Sequence, residues 1–178
     1  GRSWAALFQS VSARTAGFNT CDIGALSSAG LLAMMILMFI GASPGSTGGG
    51  IKTTTAATLF AAMRANLKHR QHTETFRRTL PWEVIQKAVT VVVLSLATVA
   101  VFTLLLLHIE QKPLRDVLFE TVSAFATVGL STGITPTLTP TGKLLITILM
   151  FIGRLGPLTM AYSLLRTRKP AAYAYAEE

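Results

Sequence analysis

Charge is what this sequence lacks most. Only 13% of its 178 residues are Asp, Glu, Lys or Arg, whereas a soluble domain carries about 25%. Acidic residues are scarcest, 8 against 16 basic ones. With 51% hydrophobic residues and a mean hydropathy of +0.52, the composition is that of a membrane protein. Cysteine is nearly absent too. A single Cys21 excludes an internal disulfide and any Cys-x-x-Cys metal site, and it is expected to be a small buried residue.

The net charge of +8 raises the question of nucleic acid. Aromatic residues to stack on bases are missing from the basic cluster, apart from Phe76. Basic residues in a hydrophobic chain instead mark the cytoplasmic edge of a membrane. Arg64, Lys68, Arg70, Arg77 and Arg78 crowd one connector, and Arg166, Arg168 and Lys169 crowd the C-terminal end. Residues 64–80 and the C-terminal tail are therefore expected in the cytoplasm, and the sparser loops with Lys112, Arg115 and Lys143 outside. The start shows no basic region followed by an apolar core and cleavage site, so no signal peptide is read there. It opens without Met and inside a structural unit, and is read as a fragment of a longer polypeptide.

Internal repetition organises what is present. Leu7-Phe8-Gln9-Ser10-Val11-Ser12-Ala13 pairs with Leu118-Phe119-Glu120-Thr121-Val122-Ser123-Ala124. After one inserted residue, Thr15-Ala16-Gly17 pairs with Thr127-Val128-Gly129, and Ile36-Leu37-Met38-Phe39-Ile40-Gly41 recurs unchanged 112 residues later, ending at Gly153. Each copy reads as a short helix, a loop and a longer membrane helix. The short helices are expected at residues 4–14, with Ser3 as N-cap, and 113–126, with Pro113 in the first turn and Asp116 and Glu120 near the positive end. Between the copies, residues 88–107 form an uninterrupted apolar run of twenty residues. That length crosses roughly 30 Å of hydrocarbon; a buried core helix of a soluble protein is the alternative. The matching helix of the first copy would precede Gly1.

A Thr-x-Gly core between two membrane-length helices suits a loop that offers backbone carbonyls to a cation. Glycine reaches φ/ψ values that other residues resist, and irregular backbone persists at membrane depth only where it is buried in protein or lines a water-filled cavity. Both short helices run into these loops by their C-terminal, negative ends, which favours a cation.

A second irregular stretch, residues 41–54, interrupts an apolar helix that is expected to resume near Ala56. Its ten residues from Gly41 to Gly50 include five glycines and Pro44, which no regular helix tolerates. A phosphate-binding loop needs Gly-Lys-Ser/Thr in sequence, but Ile51 separates Gly50 from Lys52. Gly41-Ala42-Ser43-Pro44-Gly45 fits the nucleophile elbow formally, yet the residue after the serine must donate a backbone N–H and Pro44 has none. His108 also precedes Asp116, so the order Ser, Asp, His is absent. Enzyme readings fail on local chemistry. What remains is a flexible intramembrane loop able to block a pore, its freed backbone groups satisfied by the hydroxyls of Ser43, Ser46, Thr47, Thr53 and Thr54, or a helix kink that serves packing. Arg154 is a charge in mid-helix, where a polar partner or the pore should face it. It is expected to approach the glycine loop as a positive barrier, or to pair with a helix carbonyl for structure alone. His69 and His72 find no third ligand in reach for a metal. Met34, Met35, Met38, Met150 and Met160 read as packing or lipid-facing residues.

Taken together, the two Thr-x-Gly loops, the glycine-rich broken helix and the mid-membrane arginine resemble the Trk/Ktr/HKT superfamily of potassium transporters, nearest its bacterial Ktr-type membrane subunit. The resemblance implies an all-α integral membrane fold of four tandem helix–pore helix–filter loop–helix units around a pseudo-fourfold pore. Residues 1–63 would be the third unit without its first helix, 64–80 a cytoplasmic connector and 81–178 the fourth unit with its tail. It further implies that Thr15, Ala16, Gly17, Phe18 and Asn19, and Thr127, Val128, Gly129, Leu130 and Ser131, are two of four filter segments. Gly41, Ser43, Gly45, Ser46, Thr47, Gly48, Gly49, Gly50, Lys52 and Thr53 would belong to the gating loop, and Arg154 would be the family's membrane arginine. The loops lack Thr-Val-Gly-Tyr-Gly, so fewer carbonyl layers and less strict potassium selectivity are expected. The function implied is K⁺ uptake across the bacterial inner (plasma) membrane, with Na⁺ as a second candidate ion and no organic cofactor. A Na⁺-selective relative and a non-conducting scaffold subunit are the alternatives. The implied partners are the lipid bilayer, the remaining pore units, a second copy in a homodimer and a cytosolic nucleotide-binding regulatory subunit.

Overall fold

A computed structural model describes residues 2–46, 48–68, 74–75 and 78–156. Thr47, His69, His72, Met160, Arg166, Arg168, Lys169 and the rest of the C-terminal tail, all named above, lie outside the described residues.

The elements run α1 (Arg2–Ser12), α2 (Ser28–Phe39), α3 (Thr53–Leu67), a hairpin of two-residue strands β1 (Glu74–Thr75) and β2 (Arg78–Thr79), α4 (Trp82–Glu110), α5 (Leu114–Phe125), a 3₁₀ turn (Thr135–Thr137) and α6 (Pro140–Leu155). The fold is all-α apart from that hairpin, as the resemblance implied. Its 29-residue α4 is long and apolar enough to cross a membrane, at ~1.5 Å per residue.

The repeat is legible in the caps. Ser27 caps α2 and accepts from Gly30 N–H; Thr139 caps α6 and accepts from Gly142 N–H. Both residues of each pair are 112 apart. A side-chain oxygen at this position satisfies one of the helix's orphan donors. Two short-helix boundaries depart from expectation. The first helix starts at Arg2, so Ser3 lies inside it and is no N-cap. The second starts at Leu114, and Pro113 stands one residue before it. Both caps were read from residue type alone, and types shift by a residue at helix ends without cost.

The core centres on α5, whose residues 119–125 are all buried, between α2, α4 and α6. Phe119 and Phe125 are fully enclosed with Leu31, Met38, Leu106 and Leu149. Among the methionines, Met34, Met35 and Met38 pack in this core, whereas Met150 is exposed. Thr103 of α4 and Thr121 of α5 bond through their hydroxyls at 2.9 Å, both buried. By contrast α1 is turned inside out. It exposes Trp4, Leu7 and Val11 and buries Gln9 and Ser12, a polarity suited to apolar surroundings rather than water.

Candidate ion-conduction site

The end of α1 carries its chain into residues 15–19, and the end of α5 carries its chain into residues 127–131. In both loops the handedness alternates. Thr15 and Gly17 have φ of 69° and 75°, Thr127 and Gly129 have 54° and 89°, and the residue between each pair stays at negative φ. A β-branched residue at positive φ is a genuine outlier, and such strain gathers at functional sites. Here it occurs twice, at equivalent places.

Loop N–H groups turn back to the helix ends. Ala16 and Gly17 donate to the Ser12 carbonyl at 3.1 and 3.3 Å, and Val128 donates to that of Ser123 at 3.0 Å. Ser12 also donates its hydroxyl to the Phe18 carbonyl. Among the described residues, the carbonyls of Thr15, Ala16, Gly17, Thr127, Val128 and Gly129 accept no hydrogen bond. Backbone acceptors are otherwise nearly always paired; these six stay available. The two loops abut, since a Cβ on Gly17 would collide with the Val128 carbonyl.

Directly against both loops lies the glycine-rich stretch. Helix α2 stops at Phe39 and α3 starts at Thr53, three residues before the expected Ala56. The ends of the excursion are stapled by a parallel bridge between Ile40 and Ile51, with Gly41 N–H to the Ile51 carbonyl at 2.8 Å and Ile51 N–H to the Phe39 carbonyl at 3.1 Å. Gly49 donates its N–H to the Thr127 hydroxyl at 2.8 Å. A Cβ on Gly48 would come within 2.8 Å of the Thr15 side chain, and one on Gly49 within 2.9 Å of the Phe125 carbonyl and the Thr127 side chain. The loop thus touches both left-handed threonines, and only glycine fits. Among the described residues, two of its carbonyls are held by a charge and none by its own hydroxyls. Lys52 donates from Nζ to Gly48 at 2.7 Å and to Ser46 at 3.2 Å. Ser43, Ser46, Thr53 and Thr54 make no side-chain hydrogen bond among the described residues, because Ser43, Ser46 and Thr54 point to the exposed side.

The family model for TrkH, described as a cation transport protein, matches residues 1–171. The chain belongs to the TrkH cation transport family. It is 45% identical to the Ktr system potassium uptake protein B of Vibrio alginolyticus, over 100% of this chain and 39% of that protein. It is 44% identical to the potassium/sodium uptake protein NtpJ of Enterococcus hirae, over 96% of this chain and 39% of that protein. The chain therefore spans about two fifths of the length of these curated relatives. The crystal structure of the potassium transporter TrkH from Vibrio parahaemolyticus matches with a TM-score of 0.79 at 22% identity, covering 91% of this chain and 37% of that one. The TrkH family is one of cation transporters and not of enzymes, and this TrkH-like fold is built from helical repeats.

Arg154 stands in the last turn of α6 with its side chain exposed. Beside it Gly153 crosses the end of α5 so closely that a Cβ would overlap the Phe125 carbonyl. Cys21 departs from expectation. It is exposed, with its thiol 3.9 Å from Gln9 Oε1, because it lies in the turn after the first loop rather than in the helix-packed core. Three residues that the sequence alone did not place in the site lie beside it: Ser12 beneath the first loop, Glu120 behind the second, and Gln9 at the place in α1 that matches Glu120.

Proposed function

We propose that this chain forms two units of a K⁺ uptake pore in the plasma membrane, residues 1–63 and 81–178, joined by a cytoplasmic connector at 64–80. Residues 15–19 and 127–131 are two filter segments of a pseudo-fourfold ring completed by the remaining units of a longer protein. Their carbonyls replace the hydration shell of the ion. The glycine loop is the gate below them, with Lys52 as its clamp, and Arg154 adds a positive barrier at membrane depth. The protein works as a homodimer with a cytosolic nucleotide-binding regulatory subunit.

The observation that carries this reading is the back-to-back pair of left-handed Thr-x-Gly loops, each with unpaired carbonyls and both touching one glycine stretch. Unpaired carbonyls at membrane depth are costly, and a passing cation is a partner that would satisfy them. A protein named for potassium and sodium at 44% identity favours Na⁺ as the second ion or coupling ion. K⁺ and Na⁺ flux into liposomes that hold the full-length protein tests the proposal. K⁺-dependent flux above empty liposomes is expected. Its absence in well-folded protein, with or without Na⁺ and the regulatory subunit, would favour a scaffold instead.

A further inference from the structure

Glu120 sits in the middle of α5, only 5% exposed, and its carboxylate turns back to the segment that leaves residues 127–131. Oε1 accepts from Thr132 N–H at 3.1 Å and from the Ser131 hydroxyl, and Oε2 accepts from the Thr135 hydroxyl at 2.9 Å. The Ser131 oxygen in turn accepts from Gly133 N–H at 2.9 Å. One side chain thus fixes residues 131, 132 and 135 together. Among the described residues no Lys or Arg forms an ion pair with it. A buried charge without an ion pair is expensive even when hydrogen-bonded, and a merely structural tie between these neutral groups would need none.

The first copy differs at this place. Gln9 is also 5% exposed, but among the described residues its Nε2 has no hydrogen-bond partner and its Oε1 meets only the Cys21 thiol. The charged brace therefore belongs to one loop of the two. A second buried carboxylate, Glu110, gives a comparison within the same chain. It accepts from Thr139 N–H at 3.0 Å and from the Thr139 hydroxyl at 2.5 Å, which ties the end of α4 to the cap of α6 and not to either loop.

We propose that Glu120 is a positioning residue for ion selection. Its charge holds Ser131, and through it the carbonyls of residues 127–131, at the spacing K⁺ requires, and adds a negative potential at that end of the loop. This rests on the filter reading above. Charge-assisted hydrogen bonds are roughly twice as strong as neutral ones, so a neutral amide at this place loosens the loop while keeping the side chain's shape.

The test compares Glu120→Gln, Ser131→Ala and Glu110→Gln in the full-length protein, reading the K⁺ concentration dependence of uptake and the K⁺/Na⁺ flux ratio. Glu120→Gln should raise KM for K⁺ about ten-fold, as loss of one hydrogen bond of ordinary strength would, and lower the K⁺/Na⁺ ratio, with maximal flux within about two-fold. Ser131→Ala should shift both in the same direction. Glu110→Gln should reduce the amount of folded protein and leave KM and the ratio alone. Wild-type KM and ratio in Glu120→Gln would overturn the proposal, and so would an equal shift in Glu110→Gln. If Glu120→Gln does not reach the membrane, Ser131→Ala decides, and unchanged values there overturn it. Failure of the uptake reading is distinct, because the wild type would then carry no K⁺ at all.

Discussion

Gly49 donates its backbone N–H to the hydroxyl of Thr127 at 2.8 Å, across 78 residues of sequence. The contact joins the broken helix of one repeat to the left-handed turn of the other. Any movement of the glycine loop must break or stretch it, so the proposed gate and the proposed filter share a hydrogen bond. Thr127→Val keeps the shape and removes the acceptor, at a cost of about 1 kcal/mol to the closed loop. Faster K⁺ uptake at saturating K⁺ is the expected result. Flux identical to wild type would uncouple the two elements.

Lys52 is the loop's own clamp, with Nζ on the Gly48 and Ser46 carbonyls. Lys52→Met retains the stem and deletes both bonds. We expect several-fold higher maximal flux at an unchanged K⁺/Na⁺ ratio, since about 1.4 kcal/mol off the closed state is ten-fold in its equilibrium. Lys52→Arg should retain control of the gate. An equal rise in both variants would argue against a clamp.

Gly17 faces the Val128 carbonyl at φ 75°. Ala there meets both a collision and a left-handed backbone, for which about 1–3 kcal/mol is expected. Its thermal midpoint in detergent should fall by several degrees. Gly45, at φ 82° with nothing within 4 Å, meets only the backbone penalty, and Gly45→Ala should fall less.

These contacts also mark how far the sequence could be read. Matching segments in one register carried the repeat, because a loop is a local device: Thr15 and Thr127 answer to their immediate neighbours. The break after Phe39 was legible for the same reason, since five glycines and a proline cannot continue a helix. Glu120 was read only as a charge near a helix start, because nothing local reveals that α5 points its carboxylate at Ser131 eleven residues on. The loop's freed backbone groups were assigned to hydroxyls, since small polar residues surround it, whereas the lysine that holds two of its carbonyls reaches back from the start of α3. Cys21 misled in the opposite sense, because residue type predicts burial on average and not in a turn.

Its exposure makes Cys21 a reporter of sidedness. In full-length protein stripped of other cysteines, a membrane-impermeant maleimide added to intact cells should label it, since the segment after the first loop is read as external. Labelling only after permeabilisation would invert the proposed topology.

Arg154 is proposed as a barrier charge at membrane depth, and Arg154→Gln removes the charge while keeping hydrogen-bonding capacity. Raised K⁺ flux with weaker gating is expected. Gating like that of the wild type would reduce this residue to a structural role.

The central claim is that the Thr-x-Gly loops coordinate the ion, and Gly129 tests it most directly, because its φ is 89° and no atom would crowd a Cβ placed there. K⁺ and Na⁺ flux through the full-length protein should be measured with Gly129→Ser beside the wild type. A side chain at this φ shifts the carbonyls of its own loop, so K⁺ flux should fall while Na⁺ flux persists. Unchanged K⁺ and Na⁺ fluxes in a well-folded variant would contradict the account, and the filter assignment would fall with it.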